Sequence, residues 1–275
     1  MLLELSANRT EINITSQELI QNSKFLGRPV RITILFPEGG QTSQHRLPVL
    51  IFQDGQDFPA LRIADTFRQL LSESKIEPAL MVGVHANEDR IHEYGIAKQA
   101  DYKGRGARAG QYTRFVCEEL LPYLKANFNV RNERYALAGF SLGGLMALDI
   151  AWNHADCFSK VGVFSGSLWW RRKAYSEGYI DRDRIMHLQI AESNQKPDLK
   201  FWFQTGTEDE TSDRDGDGII DSIGDTLDCI ALLERKGYSW GKDIRYLEIK
   251  GGKHHPDTWG IALYDFIGWA LSSSI

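Results

Sequence analysis

Three side-chain types that together perform nucleophilic catalysis occur in this sequence. Ser141 stands between two glycines in Gly-Phe-Ser-Leu-Gly, three carboxylates follow at 208–210, and His254 lies near the end of the chain. A serine hydroxyl is a weak nucleophile until a base takes its proton, and a carboxylate fixes the tautomer of such a base. The combination indicates acyl transfer through a covalent serine intermediate.

The segment around Ser141 predicts a sharp turn from a strand into a helix. Residues 135–140 are apolar and strand-like, and an Ala- and Leu-rich run follows at 142–151. A side chain at Gly139 or Gly143 would crowd such a turn. The turn also places the serine at a helix N-terminus, where free N–H groups favour developing negative charge.

Two loops supply candidates for the base and the acid. His254 follows the last predicted strand and precedes the last predicted helix, so it is our candidate base. His255 is the alternative, although Pro256 after it should turn it elsewhere. Asp209, third after a turn glycine, is the preferred acid, and the neighbouring Glu208 and Glu210 remain open.

The remaining site candidates are backbone amides and aromatic rings. An oxyanion hole needs two backbone N–H groups. One comes from the residue after the nucleophile and one from an earlier loop that follows a strand, so we predict the N–H groups of Leu142 and Gln56. Trp169 and Trp170 follow a predicted strand and are candidates for stacking on a substrate, with packing in the core as the alternative. Tyr94 is a weaker candidate for contact with the substrate.

The elements that must position these residues alternate between strand and helix. Apolar or alternating runs predict seven strands, at 29–36, 48–52, 79–84, 135–140, 160–164, 201–204 and 244–249. Helical patterns fall between most of them, including 112–127, 227–236 and a closing helix at 258–271. A further edge strand is indicated at 11–14. This order predicts an α/β fold with a mostly parallel, doubly wound sheet flanked by helices, in a single domain over 1–275.

An acidic insertion at about 208–228 resembles a calcium-binding loop. Acidic residues occupy the first, third, fifth and ninth places of the EF-hand pattern, glycine stands sixth, and the seventh residue would offer its carbonyl. The twelfth place is Gly224 instead of glutamate, and Asp225 after it is the candidate substitute. We expect a structural Ca²⁺, with a solvated acidic loop as the alternative. The predicted ligands are Asp213, Asp215, Asp217, Ile219 and Asp221.

Composition narrows the class of protein. The chain has 275 residues, a formal net charge of −5 and 42% hydrophobic residues, which suits a sizeable core and argues against a nucleic-acid surface. Its three cysteines are too few and too scattered for a disulfide framework. We find no signal peptide or membrane span and expect a cytoplasmic protein whose partner is a small-molecule ester.

Five segments together resemble the "putative esterase" family of α/β-hydrolases. That family includes enterochelin esterases, S-formylglutathione hydrolase, and feruloyl and acetylxylan esterases. The resemblance implies an α/β-hydrolase fold, Ser141 as nucleophile, His254 as base, and no cofactor for catalysis. The segments are Val49–Gly55, Glu119–Pro122, Gly139–Gly144, Ser165–Trp170 and Gly251–His254.

The resemblance implies hydrolysis of carboxylic esters but no particular substrate. Asp209 stands where relatives carry Asp or Glu, and the Asp-rich loop departs from most relatives. One alternative is a siderophore trilactone or peptidase-like hydrolase. Another is a non-catalytic, Ca²⁺-responsive binding protein on the same scaffold, because a fold does not fix a function.

Overall fold

One sheet of eight strands organises the computed structural model, which describes residues 12–40 and 45–272. The strands lie in the order β1-β2-β4-β3-β5-β6-β7-β8. The sheet is mixed but mostly parallel, and helices flank it, so the predicted α/β-hydrolase architecture is confirmed. The strands are β1 (Ile14–Ser23), β2 (Arg28–Pro37), β3 (Val49–Gln53), β4 (Leu80–Val84), β5 (Tyr135–Phe140), β6 (Phe158–Phe164), β7 (Lys200–Glu208) and β8 (Ile244–Lys253).

The first strand differs from its prediction. The expected edge strand at 11–14 begins only at Ile14, and its residue 11 lies outside the described part of the chain. From there β1 runs antiparallel to β2, from the pair Ile14 and Pro37 to the pair Ser23 and Arg28. Most β1 side chains are exposed or half-buried, because an edge strand covers little of the core. Its sequence is therefore polar and lacks a clear strand signal.

Helices cover both faces of the sheet. Helices α1 (Ile63–Ser72) and α8 (Pro256–Leu271) pack their apolar side chains on one face. The other face is covered mainly by α3 (Ala109–Arg114), α4 (Leu121–Asn127), α5 (Leu142–Asn153), α6 (Ile185–Glu192) and α7 (Asp221–Arg235). A one-turn helix, α2 (Arg90–Glu93), follows β4 in the chain. Within 12–40 and 45–272, no helix has the length and apolar character needed to cross a membrane.

Two predicted helices have different bounds. The single helix expected at 112–127 consists of α3, a π-helical turn at Phe115–Leu120, and α4. Pro122 has no N–H to donate to the preceding turn, and its ring would clash with the carbonyl there. The wider π-helical turn accommodates the proline. Helix α7 begins at Asp221, earlier than the expected 227, because acidic residues are favourable in the first turns of a helix.

The topology collects the candidate residues at one edge of the sheet. Strands β3 to β8 are mutually parallel, so their carboxyl ends lie together. Asp54 follows β3, Ser141 follows β5, Asp209 follows β7 and His254 follows β8. In open parallel sheets, ligands bind in the crevice outside this edge.

Candidate active site

Ser141 has a backbone conformation that is unusual for a residue with a side chain. Its φ is 55° and its ψ is −121°, between the end of β5 and the start of α5. Two hydrogen bonds hold it there: its N–H donates to the carbonyl of Phe164 at 2.8 Å, and its carbonyl accepts from the N–H of Ser167 at 3.0 Å. Both partners belong to the end of β6 and its loop. Such strain persists only where the surrounding structure enforces it.

The glycines of the turn are required by close backbone contacts. A Cβ at Gly139 would overlap the carbonyl of Gly143. A Cβ at Gly143 would come within 2.5 Å of Oδ2 of Asp54 and 3.0 Å of Cβ of Gln53. The expected crowding of the turn is confirmed, and it brings the loop after β3 directly against the first turn of α5.

The two amides predicted for the oxyanion hole lie in first helical turns. Leu142 is the first residue of α5, and Gln56 lies in a short 3₁₀ turn, Gly55–Asp57. Neither N–H bonds to another group among the described residues. The Gln56 side chain is fixed, because its Oε1 accepts from the N–H of Ala86 at 2.9 Å and its Nε2 donates to Asp54 at 3.2 Å.

A buried ion pair between Asp54 and Arg90 supports this corner of the site. Asp54 is 1% exposed, and Nε and Nη2 of Arg90 donate to its two oxygens at 2.7 Å each. Nη2 also lies 3.4 Å from the carbonyl oxygen of Phe140, the residue before Ser141. Burial works to lower the pKa of Arg90, but the hydrogen bonds and charge of Asp54 outweigh it and raise the pKa. Sequence reasoning missed this pair.

His254 lies in the loop after β8 and remains accessible to solvent. Its ring meets Trp259 edge-on with centroids 5.2 Å apart, and Trp259 stacks on Phe140 at 5.2 Å. This chain of rings links the imidazole to the residue before Ser141. Burial lowers the pKa of His254, the charge of Asp209 opposes that shift, and the charge of Arg90 adds to it. A neutral imidazole at pH 7 is the form that accepts a proton.

His255 is occupied elsewhere. Its Nδ1 accepts from the N–H of Asp257 at 3.3 Å and caps the N-terminus of α8. The side chain therefore faces its own helix, as expected for the residue before Pro256.

Of the three candidate acids, Asp209 is the one whose charge acts on the pKa of His254. It is 9% exposed, and its Oδ2 accepts from the N–H of Gly206 at 3.0 Å. Its Oδ1 is buried and has no hydrogen-bond partner within the described residues. Glu210 bonds toward the start of α7, and burial raises its pKa. Glu208 is exposed on β7 opposite Lys253.

Two of the three aromatic candidates do not face a substrate. Tyr94 and Trp170 are both 0% exposed, so neither ring offers a free face, which agrees with the core-packing alternative for Trp170. Tyr94 accepts a hydrogen bond from the N–H of Asp54 at 3.4 Å and lies under the guanidinium of Arg90. Trp169 is half-buried and remains a candidate. A Trp-Trp pair in a loop does not reveal which ring packs inward.

Part of the predicted calcium loop comes together. The carboxylate oxygens of Asp213, Asp215 and Asp217 can lie within 4.8 Å of one another, and all three residues are exposed. Exposed acidic groups often cluster without an ion, so the cluster alone does not establish a metal site. Ile219, whose carbonyl was the expected ligand, continues the same loop with a 42% exposed side chain.

The other acidic residues of the motif have different partners. Asp221 is not among the three converging carboxylates, and its Oδ1 accepts from the N–H of Arg214 at 2.9 Å. Asp225, the expected substitute for the twelfth ligand, is 1% exposed and is bonded to both Arg184 and Arg214. Asp225 is thus engaged by two arginines, while the ligand role of Asp221 stays a prediction.

Parts of the chain are similar to curated bacterial proteins. It is 25% identical over 150 residues to the uncharacterized protein YbbA of Bacillus subtilis (strain 168), covering 52% of this chain and 59% of YbbA. It is 29% identical over 171 residues to the iron(III) enterobactin esterase of Escherichia coli (strain K12), covering 61% of this chain and 40% of that protein. Each of these two matches spans less than two thirds of the relative's length.

The fold and the family agree with these matches. A solved structure of a ferulic acid esterase superposes with a TM-score of 0.73 at 16% identity, covering 94% of this chain and 98% of that one, which shows a shared fold. Residues 23–269 match the family described as "Putative esterase", and the chain therefore belongs to that family.

Proposed function

We propose that this chain is a serine carboxylic-ester hydrolase with Ser141 as its nucleophile. The observation that carries the proposal is the strained backbone of Ser141, with φ 55° and ψ −121°, at the carboxyl end of a central parallel strand. Strain of this kind clusters at functional sites. It presents the hydroxyl above the sheet at the N-terminus of α5, where negative charge is favourable.

The proposed mechanism begins with an attack on the ester. Ser141 Oγ bonds to the carbonyl carbon while His254 takes the hydroxyl proton, and Asp209 holds the imidazole and stabilises its cation. The amides of Leu142 and Gln56 donate to the oxyanion, and the loss of one such donor costs about 10²–10³ in rate. The free amides and the lowered pKa of His254 support these roles.

The tetrahedral intermediate then collapses. The bond to the alkoxy oxygen breaks, and His254 returns its proton to the leaving alcohol, which leaves an acyl-Ser141. In the second half, His254 takes a proton from water, whose oxygen attacks the acyl carbon. Collapse of this second intermediate releases the carboxylic acid and restores the serine. Two relatives named for esterase activity support a small-molecule ester as the substrate.

We also propose that the loop at 213–219 takes a structural Ca²⁺ next to the acid-bearing loop. The EF-hand spacing of these residues supports this assignment. The proposed ligands are Asp213, Asp215, Asp217 and Asp221, with the carbonyl of Ile219. No catalytic step depends on the ion.

Covalent labelling tests the nucleophile directly. A fluorophosphonate reacts with activated serines, so intact-mass and peptide analysis should place one adduct on Ser141. Ser141→Ala should lose the adduct, whereas the exposed Ser72→Ala should keep it. An adduct on another serine, or none on a folded protein, would count against the proposal.

A further inference from the structure

A buried arginine next to the candidate site has no acidic partner. Within the described residues two arginines are at least nine-tenths buried: Arg184, 4% exposed, and Arg171, 9% exposed. Arg184 pairs with Asp225 and Asp228, whereas Arg171 pairs with no carboxylate. Burying a charge is costly unless a partner offsets the lost hydration. Arg171 therefore requires another source of compensation.

The acidic side chains around Arg171 are already engaged. Asp101 pairs with Arg105, and the fully buried Asp183 pairs with Arg172 at 2.7 Å. Lys173 also lies 3.8 Å from Asp183, so this stretch of the chain carries an excess of positive charge. If Asp101 or Asp183 rotated toward Arg171, it would lose its ion pair with Arg105 or Arg172. Neither carboxylate is therefore available to Arg171.

Aromatic rings surround the guanidinium in place of acids. Its central carbon lies 3.9 Å from the ring centroid of Tyr175 and 4.9 Å from that of Tyr102. The rings of Trp169 and Tyr179 lie at 6.0 and 5.9 Å. Together these four rings and Arg171 are called the Arg171 cage.

Cation–π contacts stabilise the charge but leave the N–H donors unused. An arginine has five N–H donors, and within 12–40 and 45–272 the only side-chain hydrogen bond of Arg171 is a long one, 3.4 Å from Nη2 to the Tyr102 hydroxyl. Its Nε is buried and has no partner in the described chain. The cage thus combines ring faces, which suit a planar group, with free donors, which suit a carboxylate.

The cage adjoins the nucleophile through one loop. Ser167 donates to the carbonyl of Ser141 at 3.0 Å, and Trp169 and Arg171 follow in the same loop after β6. Tyr175, one wall of the cage, is 51% exposed, so the cage borders the protein surface. The cage therefore lies at the same edge of the sheet as Ser141.

We propose that Arg171 is a specificity-determining residue that binds an aryl carboxylate carried by the ester substrate. The carboxylate accepts from the free guanidinium donors, and the aryl ring packs against the cage. This inference rests on the proposed function, because it assigns a substrate class to the same site.

A pair of matched esters tests the proposal. 4-Acetoxybenzoate and its methyl ester differ in the carboxylate, and comparing each ester between proteins cancels their different intrinsic reactivity. Arg171→Gln should lower kcat/KM for 4-acetoxybenzoate about tenfold or more, mainly through KM, and change that for the methyl ester less than about twofold. Arg245→Gln, which removes an exposed arginine with the same charge change, should alter neither.

A binding measurement separates this inference from the esterase proposal. Calorimetric titration with benzoate needs no turnover and should show binding to wild type, weaker binding to Arg171→Lys, and the weakest to Arg171→Gln. Turnover of the methyl ester without benzoate binding would overturn the inference and leave the esterase proposal standing. Benzoate binding that depends on Arg171, without turnover of either ester, would support the inference and overturn the esterase proposal. An equal loss for both esters in Arg171→Gln would assign it a structural role and overturn the inference.

Discussion

Asp54 and Arg90 form a buried, two-pronged ion pair that joins the loop after β3 to the end of β5, with both N···O distances at 2.7 Å. On one side, Asp54 holds the side chain of Gln56, whose amide is a proposed oxyanion donor. On the other side, Arg90 reaches the carbonyl oxygen of Phe140 at 3.4 Å. The pair therefore sets the spacing between one oxyanion donor and the nucleophile, without contacting the reacting atoms.

Removal of Arg90 should impair catalysis more than binding. Arg90→Met keeps the aliphatic stem but leaves Asp54 buried without its partner, so the Gln56 loop should shift. We expect kcat to fall about 10²-fold, the cost of one oxyanion donor, with a smaller change in KM. Arg62→Met, which removes a 77% exposed arginine, is the control and should be near wild type. Equal kinetics for both variants would contradict the positioning role.

The same variant should change the pH dependence. The base must be neutral, so kcat/KM falls as pH falls through the pKa of His254, which lies below its ordinary value. The charge of Arg90 contributes to that lowering, so Arg90→Met should move the acid limb to higher pH. A pH profile of kcat/KM with a neutral ester measures the shift. If the acid limb stays in place or moves to lower pH, the charge of Arg90 does not lower the pKa of His254.

Asp209→Asn should identify the acid. The charge of Asp209 raises the pKa of His254, so its removal should move the acid limb to lower pH. We also expect kcat to fall on the order of 10³-fold, because the imidazole loses the group that fixes its tautomer. Glu208→Gln and Glu210→Gln are matched controls from the same loop and should retain activity. If Glu210→Gln is the impaired variant instead, the acid is misassigned.

The buried carboxylate of Asp225 should matter for stability. It bonds to both Arg184 and Arg214, and Arg184 is 5% exposed in its side chain. Asp225→Asn leaves buried charge uncompensated and should cost about 3–5 kcal/mol of unfolding free energy in a urea titration. Asp65→Asn removes an exposed partner of Arg68 and should cost less than about 1 kcal/mol. Similar costs for the two would show that the buried network contributes little.

Calcium should stabilise the protein if the acidic loop binds it. A ligand that binds only the folded state adds about 2.7 kcal/mol at a hundred times its Kd, so Ca²⁺ should raise the melting temperature and a chelator should reverse the rise. Asp215→Asn, which alters one of the three convergent carboxylates, should reduce the gain. Isothermal titration that detects no Ca²⁺ uptake would reject the site and favour a solvated acidic loop.

The sequence predicted those features that depend on local backbone geometry. Ser141 and its glycines were identifiable because a strand-to-helix turn needs small residues at fixed positions. His254 was identifiable because it lies between the last strand and the last helix. The side chains that support the site were not, because Asp54 and Arg90 are 36 residues apart and meet only after the sheet forms.

The orientation of loop side chains was also hidden in the sequence. Tyr94 and Trp170 were candidates for contact with substrate, with core packing as the alternative for Trp170, and both rings are buried, while Nε of the neighbouring Arg171 has no partner within the described residues. Adjacent residues in an irregular loop have no fixed period, so composition does not tell which one faces inward. Only the packing of the loops against each other decides this.

The most direct test of the central claim is hydrolysis of short p-nitrophenyl esters by wild type and Ser141→Ala, both confirmed to be folded. We predict turnover by wild type and a loss of at least about 10³-fold in Ser141→Ala, because acylation requires the hydroxyl of Ser141. Equal rates for the two proteins would show that Ser141 is not the nucleophile and would contradict the account.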